Sequence, residues 1–296
     1  MRIKNILLNE QGIALVLTLM VLVLITALVV EFAYGVHTGT DNLYNWYDSQ
    51  RLSVFAVSGI NLAANFISDE TARKAYTYPG FFETGFDSIA MGLDTKADLR
   101  IEDESAKLNV NAIVDSFGNK TETFISLKRL LVRLSVDESI ADKIADWIDS
   151  DAEESSRGSE IKTKNAPLYS IDELLLIKGI DKASYEKLRP YVTVYGDGLI
   201  NINTAEKPVL ASLSESITDK LAQKIIDYRI NQPFEQKDQL QRISGFELGV
   251  YGPLISRITV KGTFFYVRTS VASRGIRRTI EAVIGADKNI KYWRES

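Results

Sequence analysis

Cysteine is absent from this 296-residue chain, and histidine occurs once, as His37. The first absence excludes disulfides and thiolate ligands, so the chain tolerates an oxidising compartment without depending on one. Together the two absences exclude thiol catalysis and His-based zinc sites. His37 reads as an interfacial or surface residue. Neither sign of charge dominates: 35 Lys+Arg stand against 39 Asp+Glu, a net of −4 with a pI near 5.3. Such a balance gives no electrostatic footprint for nucleic acid. There is no P-loop, no G-x-S-x-G and no H-E-x-x-H. The carboxylate pairs Asp149/Asp151 and Glu153/Glu154 lie among Ser, Arg and Gly, a setting that suggests an exposed loop with ordinary pKa values. The chain reads as a non-enzyme.

What it does have is a basic leader, a Gly and eighteen consecutive uncharged residues. Arg2 and Lys4 precede Gln11-Gly12, and Ile13 to Val30 carries no charge. As a helix that run measures roughly 27 Å, close to the hydrocarbon thickness of a bilayer. A secretory signal peptide has a shorter apolar core and a small-x-small cleavage site after it. Here Glu31-Phe32-Ala33-Tyr34-Gly35 is a poor site, and the Gly lies in front of the run. The leader's cations place the N-terminus in the cytoplasm. From Thr38 to Asp69 there is no proline, and Leu43, Trp46, Tyr47, Val54, Phe55, Val57, Ile60, Ala64 and Ile67 recur at helical spacing. One helix is therefore expected from Ile13 to about Asp69, with bends allowed at Gly35, Gly39 and Gly59. Tyr78-Pro79-Gly80 ends the pattern, and a loop is expected through Asp94.

Ala97 to Glu104 alternates like a strand. Thr263–Ser273 and Ile276–Ile284 flank Arg274-Gly275 like a hairpin, with Ile276, Arg278, Ile280, Ala282 and Ile284 on one face. Between these strands lies a duplication. Asn109-Val110-Asn111 recurs as Asn201-Ile202-Asn203, and Ser139–Ala145 as Ser216–Ala222. At a constant offset of 66, Pro167, Asp172, Leu174, Gly179, Tyr185, Leu188 and Val194 recur as Pro233, Asp238, Leu240, Gly245, Tyr251, Leu254 and Val260. Each copy reads helix, loop, short helix, Gly turn, helix, strand.

The second copy resembles the helix-hairpin-helix of membrane-anchored DNA-uptake receptors, whose Gly-rich hairpins offer amides to phosphate. Its chemistry is missing here. Ser214-Glu215-Ser216-Ile217-Thr218 has no Gly, and Gly245 is followed by Phe246-Glu247. Lys107 to Val260 holds 20 Lys+Arg and 23 Asp+Glu, a net of −3. No nucleic-acid partner is expected.

The order of leader, Gly and apolar run resembles the class III leader of type IV pilins and type II secretion pseudopilins. That resemblance implies cleavage by a prepilin peptidase between Gly12 and Ile13, with methylation of the new N-terminus. A plain membrane anchor is the alternative. Most pilins carry Glu at the fifth mature position, where this chain has Leu17. Further on, Ala145-Asp146-Trp147-Ile148-Asp149-Ser150-Asp151 with Gly158-Ser159-Glu160, the upstream LNVNA, the downstream LININTA and Pro190-Tyr191-Val192-Thr193-Val194 resemble the minor pseudopilin K family of type II secretion. The K type typically lacks the position-five Glu.

The fold expected on this resemblance is α+β: a pilin-like long helix on an antiparallel sheet, with a mainly helical insert of two helix-hairpin-helix-like units. The expected segments are a leader at 1–12, the long helix at 13–70 (13–33 in the membrane), a sheet domain at 71–112 and 259–296, and the insert at 113–258. The implied partners are the I and J minor pseudopilins, other pseudopilins through the helix, the peptidase and the inner membrane, with a periplasmic head. The implied role is a pseudopilus tip that primes assembly and limits growth; a type IV pilus minor pilin and a DNA-uptake protein are the alternatives. No cofactor is certain. Asp149, Asp151 and Glu160 offer either an oxygen cage for Ca²⁺, which some members of the family bind in this insert, or a solvated acidic loop.

Overall fold

A computed structural model describes residues 10–78, 89–90, 95–149 and 164–296. Helix α1 (Glu10–Arg73) runs unbroken for 64 residues, about 96 Å at 1.5 Å per residue. It starts three residues before the expected Ile13 and ends four past Asp69. The added C-terminal turn is supported by a Glu70–Lys74 pair at 3.2 Å and by Lys74 N–H donating to the Glu70 carbonyl. Its first half is exposed on every face: Leu17 is 55% accessible, Phe32 75% and Trp46 61%. Its second half buries one stripe, Leu52, Ala56, Ile60, Ala63 and Ile67, whose spacing of three and four keeps it on a single side.

That stripe lies on a five-stranded antiparallel sheet ordered β1-β2-β7-β8-β9. Its strands are β1 (Ile89–Ala90), β2 (Thr95–Asp103), β7 (Phe264–Ser273), β8 (Ile276–Gly285) and β9 (Ile290–Glu295). The hairpin falls where expected, because Arg274 (φ 50°) and Gly275 (φ 83°) take the paired left-handed conformations of a type I′ turn. Ile280, Ala282 and Ile284 join Ala97, Leu99, Ile101, Phe265, Val267 and Val271 in the core under α1. Arg278 shares their face and donates from Nε to Ser49 Oγ of the helix at 2.9 Å. Two differences stand out. Ile89–Ala90 pairs with β2 inside the stretch expected as loop, and β9 lies beyond the strands that the sequence pattern predicts. Gly59 is no bend either. A Cβ there would come within 2.6 Å of Thr269 Cγ2, so the glycine sets how closely α1 approaches β7.

Between β2 and β7 the chain builds two similar helical units. The first contains β3 (Leu108–Asn109), α2 (Glu122–Arg133), α3 (Ser139–Ile148), α4 (Lys182–Leu188) and β4 (Val192–Thr193). The second contains β5 (Ile200–Asn201), α5 (Lys207–Ser212), α6 (Asp219–Asn231), α7 (Leu248–Tyr251) and β6 (Ile258–Thr259). Each closes with a two-residue parallel pair, β3 on β4 and β5 on β6. The asparagines of the repeat are its clasps. Asn111 Nδ2 donates to the carbonyls of Leu168 (2.9 Å) and Val194 (3.1 Å), and its Oδ1 accepts from Leu168 N (2.8 Å). Asn203 does the same with Phe234 (2.8 Å), Val260 (3.3 Å) and Phe234 N (2.8 Å).

One pairing of the duplication shifts by a turn. Read by sequence, Ser139–Ala145 matches Ser216–Ala222 at an offset of 77. In space, the side chain of Asp137 accepts from Ser139 N just ahead of α3, as that of Thr218 accepts from Leu221 N at the start of α6, an offset of 81. Buried Val136, Ile140, Ala141 and Ile144 then match buried Ile217, Leu221, Ala222 and Ile225. Both units contribute to one continuous hydrophobic cluster from Leu108 to Ile258.

Candidate functional site

Four places bear on function: the apolar start of α1, and in the head the end of α3, the two Gly hairpins, and the seam between the sheet and the helical units. Gly12 and Ile13 lie within the first turns of α1, with Ile13 47% accessible. Leu17 projects from the same exposed apolar segment. Among the described residues this is the one helix long and apolar enough to cross a membrane.

At the end of α3, Asp149 takes the C-cap position and its N–H donates to the Ala145 carbonyl at 2.9 Å. Asp149 is buried at 7% accessibility, whereas a solvated loop would leave it exposed. Asp151 and Glu160 lie outside the described residues, so their placement with Asp149 is not described. Asp146 belongs to the Ala145–Asp151 run, but nothing in the sequence singles it out as buried, because an Asp one turn before a helix end normally faces water. Here it is buried at 6% accessibility, and among the described residues neither carboxylate oxygen has a hydrogen-bond partner. A buried carboxylate without donors is costly and calls for a partner such as a cation.

The hairpins carry their own anions. In the first unit Gly179 (φ 91°) is followed by Asp181, whose Oδ1 accepts from Ser184 N at 2.8 Å. In the second, Gly245 (φ 109°) donates its N–H to Glu247 Oε1 at 3.2 Å. These carboxylates sit where a phosphate would need amides. Glu215 is held by Arg129 of the first unit at 3.2 Å, and Lys224 Nζ donates to the Ser244 carbonyl at 2.8 Å.

The seam is a buried polar knot. Asp103, at the end of β2, accepts from Ser105 N (2.8 Å), Asn201 Nδ2 (2.7 Å) and Thr204 Oγ1 (2.7 Å). Thr77, beyond α1, accepts through Oγ1 from Asn201 Nδ2 and Gly262 N, both at 2.8 Å. Gly262 is required here: a Cβ would stand 2.5 Å from Asp103 Oδ1. Burial pushes the Asp103 carboxyl above its ordinary value, against the pull of the bonds from Thr204, Asn201 and Ser105. Next to it, Glu104 accepts from Thr193 Oγ1 and pairs with Lys107 at 2.5 Å. The knot ties the exit of α1, the end of β2 and both ends of the second unit.

Two family models, both described as type II secretion system protein K, match residues 106–197 and 200–261, together more than half of the chain. The type II secretion system protein K of Pseudomonas aeruginosa is 30% identical over 199 residues, which is 62% of this chain and 58% of that protein. The protein K of Pectobacterium carotovorum subsp. carotovorum is 27% identical over 298 residues, covering 89% and 88%. Thus the alignment spans less than two thirds of the Pseudomonas protein and most of the Pectobacterium one. A chain in the crystal structure of the GspK-GspI-GspJ complex from the type 2 secretion system of enterotoxigenic Escherichia coli superposes with a TM-score of 0.70 at 18% identity, over 86% of this chain and 99% of that one. The fold is the pilin-like α+β fold with a helical insert, and this chain belongs to the type II secretion system protein K family.

Proposed function

We propose that the chain is a minor pseudopilin that works by packing and blocking rather than by catalysis. The observation that carries this reading is the division of α1, exposed and apolar for its first half and embedded in the head for its second. An exposed apolar helix face must be covered, by lipid before assembly and by the helices of other pseudopilins after it. Cleavage between Gly12 and Ile13 by a prepilin peptidase and methylation of Ile13 free the helix for that exchange. The N-terminus is cytoplasmic, and the head lies in the periplasm, anchored to the inner membrane until extraction.

Leu17 supports a place at the tip. A carboxylate at this depth persists by pairing with a neighbouring subunit's terminal amine. With Leu17 the subunit offers its own amine and demands none from above. The partners in this reading are I and J minor pseudopilins, as in the related GspK-GspI-GspJ complex. The tip so formed primes assembly, and the helical units on top stop further addition. Nucleic acid has no part in this reading, because a carboxylate stands at each Gly hairpin, Asp181 accepting from Ser184 N and Glu247 from Gly245 N.

Calcium fits the end of α3. Buried Asp146, whose two oxygens have no hydrogen-bond partner among the described residues, is a ready ligand source beside Asp149, and Ca²⁺ takes six to eight such oxygens. In this reading Asp149, Asp151 and Glu160 hold the ion and Asp146 supports it.

Two experiments test the proposal. Co-expression with the I and J subunits of the same system, followed by native mass spectrometry of the detergent extract, should give one copy of each; recovery of the chain without either partner contradicts the tip reading. Calorimetry with Ca²⁺ should give heat for the wild type that is lost in an Asp149→Ala, Asp151→Ala variant. No heat from the wild type removes the ion from the account.

A further inference from the structure

The sheet has a second face, turned away from α1 towards the helical units, and a cleft of about 930 Å³ lies above it. Strand register sets two transverse rows on its floor. Arg100, Arg268, Glu281 and Arg294 stand side by side across β2, β7, β8 and β9, and Glu102, Tyr266, Val283 and Tyr292 form the row beside them. At about 4.8 Å between strands each row is roughly 14 Å long.

The carboxylates of this floor are already engaged. Glu102 pairs with Arg100 (2.6 Å) and Lys107 (3.6 Å), while Glu281 pairs with Arg294 (2.5 Å) and accepts from Tyr266 Oη (2.9 Å). Arg268 is left over. It lies between Arg100 and Glu281, has no ion pair among the described residues, and its Nε is buried without an acceptor. Two arginines directly opposite on neighbouring strands repel, and a buried donor without an acceptor is a further cost. Both costs fall if a carboxylate enters the cleft and meets the Arg268 fork, with Tyr266 in the row beside it.

We propose that this cleft binds an acidic polypeptide segment lying across the strands, with one of its carboxylates seated on Arg268. The size favours a chain over a small anion: at about 3.3 Å per extended residue, the floor takes four residues. This goes beyond the pseudopilin reading and does not depend on it.

The test uses the full chain in detergent and a fluorescein-labelled Gly-Glu-Gly-Glu-Gly peptide followed by anisotropy. The wild type should bind this peptide and not its Gln-for-Glu counterpart. Arg268→Gln should weaken binding at least about tenfold, the loss expected for a charged donor, and Arg100→Gln much less. Thermal melting separates this role from a structural one. Arg268→Gln should melt no lower than wild type because it removes the like charge opposite Arg100. Absent binding, equal binding of the Gln peptide, an unaffected Arg268→Gln variant or a lowered melting point would each overturn the proposal. Glutarate competing as tightly as the peptide would make the cleft a small-anion site instead and overturn it equally.

Discussion

Asn111 and Asn203 show how a single side chain holds each helical unit closed. Each meets two carbonyls and one N–H where its unit closes; of these, the Val260 carbonyl is also held by Thr77 N at 2.9 Å. Asn203→Ala should cost about 2–4 kcal/mol in urea unfolding, since several buried groups lose their bonds at once. Asn111→Ala should cost less, because Asn111 is only half-buried. Titration at two carboxyls should run in opposite directions. Burial acts upward on Glu173 but is outweighed by Lys164 and the amides of Tyr169 and Ser170, which hold it below its ordinary 4.5. Its stabilisation is therefore present above pH 4.5 and lost as pH falls through its lower folded value, and Glu173→Gln should remove that acid dependence. Asp103 is raised from 3.8, chiefly by burial. Folding there favours the protonated form, so its contribution declines as pH rises from 3.8 through the raised value. Stability-against-pH curves of Asp103→Asn should lose that decline. The recurring Asn-x-Asn is plain in the sequence, but its bonding role is not. Asp146 is hidden there, because no local pattern marks an aspartate that a fold will bury.

Among the elements, α1 and the β7–β8 hairpin are the most legible. A charge-free run, a proline-free amphipathic stretch and strict alternation about Arg274-Gly275 are local signals, and the packing agrees with them. β9 is illegible for a physical reason: it is an edge strand exposed on most positions, so it carries no clean apolar alternation. The repeat misaligns by one helical turn when read as letters, because SIADKIA and SITDKLA match well. The side-chain bonds at the helix starts and the buried positions decide otherwise. α1 itself yields a sharp contrast. At Gly35 and Gly39 no atom lies within 4 Å of the place a methyl group would take, so Gly35→Ala should stabilise the helix by about 0.5–1 kcal/mol. Gly59→Val should instead destabilise by at least about 1 kcal/mol through its clash with Thr269. A Thr269→Ser change, which removes the clashing methyl, should recover part of that loss. Equal effects at Gly35 and Gly59 in thermal melts would show that α1 does not approach β7 so closely.

For the molecule as a whole, two cores divide the labour. One fastens α1 to the sheet, and the other is shared by both helical units. The Asp103 knot joins them, so force on the helix reaches the units through a polar seam. The rows facing the cleft are not legible in the sequence, since they exist only once four strands take their register. Family membership rests on motifs spread over the chain, and the functional reading rests on what happens to its first helix. That makes the start of the mature protein the decisive quantity. Mass spectrometry of the chain purified from membranes of its own host should find Ile13 as the first residue, carrying an N-methyl group. A chain that still begins at Met1 would contradict the account and leave a fixed membrane anchor in place of an assembling subunit.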